Sequence, residues 1–330
     1  MTMGPVPLTI ALHDYDHVRD LASGAVGVEG VTLRCLQYPV EEIFFRFTRF
    51  REWDASELSL AKYCSLRAAG DRSLIAIPVF TSRAFRHSAI FVRADGPVDE
   101  PAALAGTRIG VPEWTQTATV YGRGILAHEY GLALEEINWV QAGTNEPGRV
   151  EGVAVELPPG ISLTAMPDET LDAMLNDGRL DAVIAAHPPR SFGDGGALVR
   201  LFSDHRAVEE ESWRRTGVFP IMHVVVLRAE IHERDPWIAM NLCSAFEEAK
   251  QRSVQRALDA NAPAFPVPWG PANAARAREL FGGDFWPYGL EANRRTLETF
   301  LEWSFEQGVC RTRLAPEQLF APQTLSGFRI

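Results

Sequence analysis

Lysine is almost missing from this chain: only Lys62 and Lys250 occur, so 30 of the 32 basic side chains are arginine. Few Schiff-base candidates remain, and the dominant cation is the guanidinium fork that grips carboxylates bidentately. No basic run interrupts the net charge of −11, which argues against nucleic acid as a partner, because phosphate neutralisation supplies most of that affinity. The four cysteines, Cys35, Cys64, Cys243 and Cys310, lack the close spacing of zinc or dithiol chemistry. They read as buried thiols in a reducing cytoplasm. Nowhere do about eighteen uncharged apolar residues follow one another, so no membrane span is expected. Pro5, Pro7, His13 and Asp14 interrupt the amino terminus, and no secretory signal is visible there. A Gly-rich dinucleotide fingerprint is also missing, which disfavours an oxidoreductase.

What is present is an ordinary globular composition, 46% hydrophobic and 23% charged over 330 residues. At roughly 100–200 residues per domain that length suggests two lobes with a cleft between them. Leu8 to Leu12 reads as a strand ending in the polar stretch His13-Asp14-Tyr15-Asp16, at the edge where open α/β sheets place ligands. Val31 to Tyr38 follows as a strand and Val40 to Phe50, apolar at helical spacing, as a helix. Asp54 to Ser59 leads into a helix over Leu60 to Ala69, for which Ser56 or Ser59 is a natural cap. Leu74 to Phe80 and Ser88 to Val92 are β-like and flank a polar connector, Thr81 to His87. A new strand at Thr107 to Pro112 and a helix over Thr115 to Tyr130 open a second lobe. The apolar run Val218 to Leu227 crosses back, and helices over Pro236 to Leu258 and Glu291 to Glu306 cover the first lobe. The expected division is 1–100 with 219–330 as lobe one and 101–218 as lobe two. The class is therefore α/β, with lobe two inserted in lobe one.

Several stretches carry a family likeness: Ser56-Glu57-Leu58-Ser59, the run Ile77 to Ser88, Gly110-Val111-Pro112-Glu113 and Gly217 to His223. Ala245-Phe246-Glu247-Glu248-Ala249-Lys250 and Trp286-Pro287-Tyr288-Gly289 extend it over nearly the whole chain. The sequence resembles the 4,5-dihydroxyphthalate decarboxylases, which have the two-lobed type II periplasmic-binding-protein-like fold. That resemblance implies a carboxy-lyase of phthalate degradation that removes one carboxylate from an aromatic diacid, giving protocatechuate and carbon dioxide. Fold alone leaves catalysis open, so a non-catalytic cytosolic binder of aromatic acids, or a lyase for a related hydroxylated acid, is the alternative.

A substrate with two adjacent carboxylates calls for paired guanidinium groups or helix amino termini. Arg83 and Arg86 are the candidate clamp; interlobe ion pairs are the plainer explanation. His87 is the first choice of general acid, and His223, in the crossing run, is a proton shuttle, phenol contact or core histidine. Glu57 reads as phenol base, histidine orienter or first-turn glutamate, and Ser56 as substrate contact or cap. On lobe two, Trp114 and Thr115 begin a helix whose free N–H groups suit a carboxylate, with Trp114 stacking on the ring or packing the lobe. Tyr15 and Asp16 would line the cleft floor. No cofactor is required by this chemistry, yet His13, His87 and His223 together are a conceivable divalent-metal set, since a catechol is a bidentate ligand. The sequence leaves a homo-oligomer open, and assigns no role to the loop from Gly143 to Pro159.

Overall fold

A computed structural model describes residues 4–193 and 195–325. Lobe one begins with β1 (Val6–Leu12), α1 (Asp16–Ala22), β2 (Val31–Gln37), α2 (Val40–Phe50), β3 (Ala55–Ser59), α3 (Leu60–Ala68) and β4 (Leu74–Arg83). The second lobe follows with β5 (Ile90–Arg93), β6 (Arg108–Val111), α4 (Thr117–Tyr130), β7 (Asn138–Gly143), β8 (Ser162–Thr170), α5 (Leu171–Asn176), β9 (Ala182–Ile184), β10 (Leu198–Arg200) and α6 (His205–Thr216). The chain then returns through β11 (Ile221–Arg228) to α7 (Ala229–Arg234), α8 (Trp237–Leu258), α9 (Gly270–Leu280) and α10 (Arg294–Glu306).

In β1 the consecutive residues Ile10, Ala11 and Leu12 are all buried, the mark of a strand covered on both faces. It takes a central place in the first sheet, whose order is β2-β1-β3-β11-β4. Strand β11 runs antiparallel between β3 and β4 although it lies far along the chain. The second sheet has the order β10-β5-β9-β6-β7-β8. Every strand of that sheet falls between β4 and β11 in sequence, so lobe two is inserted in lobe one.

Details depart from the sequence expectation. Strand β5 pairs with β9 and β10, so the second sheet takes up the chain from Ile90, ahead of the expected boundary at 101. The segment 162–170 forms β8, paired parallel with β7, a strand that the sequence expectation did not contain. Helix α8 covers lobe one against α1, but α10 packs on α4 of lobe two. Gly124 leaves no space for a side chain against the Trp303 ring, and Tyr121 lies 4.9 Å from Phe300.

Local chemistry explains the elements that shape the cleft. Ser59 ends β3 and caps α3, its hydroxyl accepting from the Lys62 N–H. Ser56 and Glu57 therefore belong to a strand, and neither caps a helix nor sits in a first turn. Helix α4 is closed by Gly131 at φ 71°, a left-handed position that favours glycine.

Candidate active site

The cleft between the sheets holds a cavity of about 270 Å³, close to the lower end of ordinary small-molecule pockets. His223 of β11 lines this cavity, and Glu57 of β3 is buried behind it. Their strands pair so that Glu57 faces Val225, which puts Glu57 and His223 on one side as diagonal neighbours. His223 Nδ1 lies 2.7 Å from Glu57 Oε1, leaving Nε2 for the cavity that His223 lines. The same carboxylate accepts from the Tyr15 hydroxyl at 2.8 Å and, on Oε2, from the His13 backbone N–H at 2.8 Å.

Burial alone would push the fully buried Glu57 carboxyl up. Its bonds with His223, His13 and Tyr15 outweigh that and hold its pKa below the usual carboxylate range. Burial and the Glu57 charge push the Tyr15 phenol upward, so it remains a donor. Glu57 thus fixes the orientation of the His223 ring, and the Phe44 ring stands edge-on to that imidazole at 4.8 Å.

The rest of the cavity is built for negative charge. The amino termini of α3 and α4 meet there: Ser59 Oγ lies 2.9 Å from Thr117 Oγ1, which also accepts from the Ala61 N–H at 3.1 Å. Two positive helix ends facing each other are mutually unfavourable until an anion lies between them. Thr117 and Ala118 line the cavity, and first-turn N–H groups have no intrahelical acceptor. Arg86 adds a guanidinium that donates from Nε to Met222 Sδ, at 3.1 Å. It has no carboxylate partner among the described residues, and burial pushes its pKa down to about 10. A desolvated guanidinium without a carboxylate partner is costly in isolation and suits a ligand that brings its own carboxylate.

Lys62 and Arg149 complete the basic lining, both on Glu113, at 3.1 and 2.5 Å. Arg149 belongs to the loop that the sequence left without a role. Its neighbour Gly152 packs so close to the Lys62 ammonium that a side chain would displace it. Glu41 of α2 and His187 of lobe two bridge the lobes at 2.8 Å and line the cavity mouth. Sequence reasoning missed Lys62, Arg149, Thr117 and His187. Of these only Lys62 carried a signal, as one of two lysines.

Other expected residues lie elsewhere. Arg83 does not pair with Arg86 as a clamp: its guanidinium donates to the Phe219 and Pro287 carbonyls and to Asn293 Oδ1, between the lobe crossing and the carboxyl-terminal segment. His87 is buried outside the cavity, 3.6 Å from Glu129 and edge-on to Phe202, because the connector turns into lobe two before reaching it. Ser56 donates to the backbone carbonyl of Glu57. Asp16 binds Ser253 and Arg256, fastening α1 to α8.

Trp114 does not face the ring site. It is fully buried, with Arg123 stacked 3.7 Å from its centroid and its indole N–H on the Gln307 carbonyl. Thr115 is committed to Glu151, which takes the Trp114 and Thr115 N–H groups and the Thr115 hydroxyl. The helix itself starts two residues further on, at Thr117. With His87 outside the cavity, the set His13, His87 and His223 is not assembled. The described residues contain no group of three His, Cys, Asp or Glu side chains placed to hold a metal ion.

No family model matches the chain. A curated protein named 4,5-dihydroxyphthalate decarboxylase, from Comamonas testosteroni, is 40% identical over 330 residues, covering 99% of this chain and 100% of its own. The chain belongs to the 4,5-dihydroxyphthalate decarboxylase family. A protein of the same name from Pseudomonas putida is 40% identical over 214 residues, which are 64% of this chain and 83% of that one. Among solved structures, this family member superimposes on the periplasmic sulfonate-binding protein SsuA from Methylobacillus flagellatus with a TM-score of 0.59. Identity is 13%, over 98% of this chain and 94% of that one. The aliphatic sulphonate binding protein SsuA from Escherichia coli gives 0.54 at 14% identity, over 98% and 99%. These likenesses identify the type II periplasmic-binding-protein-like fold. No described helix is long and apolar enough to cross a membrane.

Proposed function

We propose that the protein is a carboxy-lyase that converts 4,5-dihydroxyphthalate to protocatechuate and carbon dioxide. One juxtaposition carries the reading: in a single cavity, the unpaired Arg86 guanidinium and two helix amino termini face the Glu57-backed imidazole of His223. The family to which the chain belongs supports the same reaction.

The two ends of the cavity divide the work. Arg86, with the N–H groups of Thr117 and Ala118, holds the carboxylate that stays. A cation on the departing carboxylate would stabilise the ground state as it loses its charge, and so would slow the reaction. His223 Nε2 supplies the proton to the ring carbon that bears the departing group, and Glu57 neutralises the imidazolium from behind. Val40, Phe44 and Met222 exclude water from the ring. The protein works in a reducing cytoplasm, which suits four free cysteines of which three are buried.

The test is carbon dioxide release from 4,5-dihydroxyphthalate by the purified protein, with protocatechuate followed by absorbance, alone and with a chelator. Turnover that survives chelation is expected, because proton transfer by these side chains needs no metal ligand set. Turnover lost on chelation and restored by a divalent ion overturns that cofactor assignment. Tight retention of the diacid without carbon dioxide release overturns the catalytic reading in favour of a binding protein.

A further inference from the structure

His13 and His223 both line the cavity, but their Nδ1 atoms meet different partners. His223 Nδ1 faces the Glu57 carboxylate, whereas His13 Nδ1 lies 3.1 Å from the Tyr38 carbonyl oxygen. A carbonyl only accepts, so His13 carries its proton on Nδ1 and presents the Nε2 lone pair. The residue is fixed from below as well, since its backbone N–H donates to Glu57 Oε2. Its ring stands edge-on to Tyr15, with centroids 5.0 Å apart. One carboxylate therefore organises an imidazole ready to accept a proton and another ready to give one.

We propose that His13 is a catalytic residue, the general base for the ring hydroxyl para to the departing carboxylate. This rests on the decarboxylase reading above. His13 Nε2 takes the hydroxyl proton, and the freed electron pair moves into the ring. The ring carbon bearing the carboxylate takes a proton from His223 Nε2, forming a C–H bond and a dienone. The bond to the carboxylate then breaks, its electron pair restores the aromatic ring, and carbon dioxide leaves. The imidazolium of His13 returns its proton to the phenolate, and solvent reprotonates His223. One proton is consumed for each carbon dioxide released, and no oxidant or reductant enters. The charged or titratable groups around His13 are Glu57 on β3, Tyr15 beside it, His223 on β11 and, across the cavity, Glu41 on α2.

The test reads the ionisation of a bound phenol and does not require turnover. Protocatechuate, the stable product, is added near neutral pH to the wild-type protein, to His13→Gln and to His13→Asn. The asparagine amide keeps a donor for the Tyr38 carbonyl and removes the base, so a fold defect is separated from a chemical one. The ultraviolet difference spectrum is expected to show a phenolate band with the wild type and none with either variant, and kcat on 4,5-dihydroxyphthalate is expected to fall about 100-fold with KM changed less than about threefold. A band retained in both folded variants, or a wild-type complex without one, overturns the role of His13. Failure of the wild type to release carbon dioxide overturns the decarboxylase reading instead, and the spectrum still decides whether His13 deprotonates a bound phenol.

Discussion

Replacing Glu57 with glutamine keeps the shape of the side chain and removes the charge on which three donors converge. His223 Nδ1 at 2.7 Å, the Tyr15 hydroxyl at 2.8 Å and the His13 N–H at 2.8 Å all address that one buried carboxylate. An amide presents one oxygen and one NH2 group, so at least one buried donor then faces another donor. Leaving such a donor unsatisfied costs about 1–3 kcal/mol, which for a chain of this size lowers Tm by roughly 1–4 °C. Activity should fall further, because His223 loses both its orientation and its counter-charge; a positioned general acid contributes about 100-fold or more. With Arg86 untouched, KM should stay within about threefold, so the loss appears in kcat. The pH dependence has a definite sign. The Glu57 pKa lies below its ordinary value when folded, so its stabilisation is present above about pH 4.5 and is lost as pH falls through the folded pKa. The Tm gap between wild type and Glu57→Gln should therefore be widest near neutral pH and close on acidification. A folded Glu57→Gln protein with kcat within twofold of wild type refutes the reasoning.

Arg86→Met should raise KM by about 10- to 100-fold, the worth of a charge-assisted carboxylate contact, while Tm holds or rises because a desolvated, unpaired charge is gone; an unchanged or lower KM on titration with substrate contradicts the assignment. His87→Leu should leave kcat and KM within about threefold, since His87 is packed against Phe202 outside the cavity; steady-state kinetics decides this, and a large kcat loss would restore His87 as a catalytic group. The bond to Glu41 raises the pKa of His187, and that pairing with His187 holds Glu41 at about 2. This bridge between the lobes is therefore fully formed below the ordinary histidine pKa and is lost as pH rises through the raised value. KM for the diacid should climb over that alkaline window in the wild type and stay flatter in His187→Ala, as KM profiles against pH would show.

The inserted two-lobe plan was legible because the apolar runs are short and ordered: Leu8 to Leu12, Thr107 to Pro112 and Val218 to Leu227 each became a strand at the expected place. β8 was not, because its residues are mostly exposed and it owes its form to pairing with β7. At the site, the structure brings together Glu57, Tyr15 and His223, which the sequence had singled out separately, although Glu57 stands in mid-strand and not at the strand-to-helix junction expected for it. Arg83 and His87 misled for one reason: adjacency in a connector says nothing about direction when the chain changes lobes within it. Trp114 and Thr115 misled because their partners, Arg123 and Glu151, come from distant parts of the chain. Lys62 and Arg149 reach the cavity through pairing with Glu113, a tertiary fact that spacing does not encode.

The course of the carboxyl-terminal chain sets how the two halves can move. Beyond α8 it leaves lobe one, and Trp303 seats on Gly124 while Gln307 takes the Arg123 guanidinium. It then returns, where the Leu319 carbonyl accepts from the Tyr63 hydroxyl and the Ala76 N–H. The sheets are thus joined by this third tether as well as by the two connectors at 84–89 and 217–220. A wide swing about a simple hinge would have to strip Trp303 from α4. Small rocking motions that open the Glu41–His187 mouth need not. Exchange of a ligand is then expected at the rim, with the spacing of Glu57, Tyr15 and His223 left undisturbed.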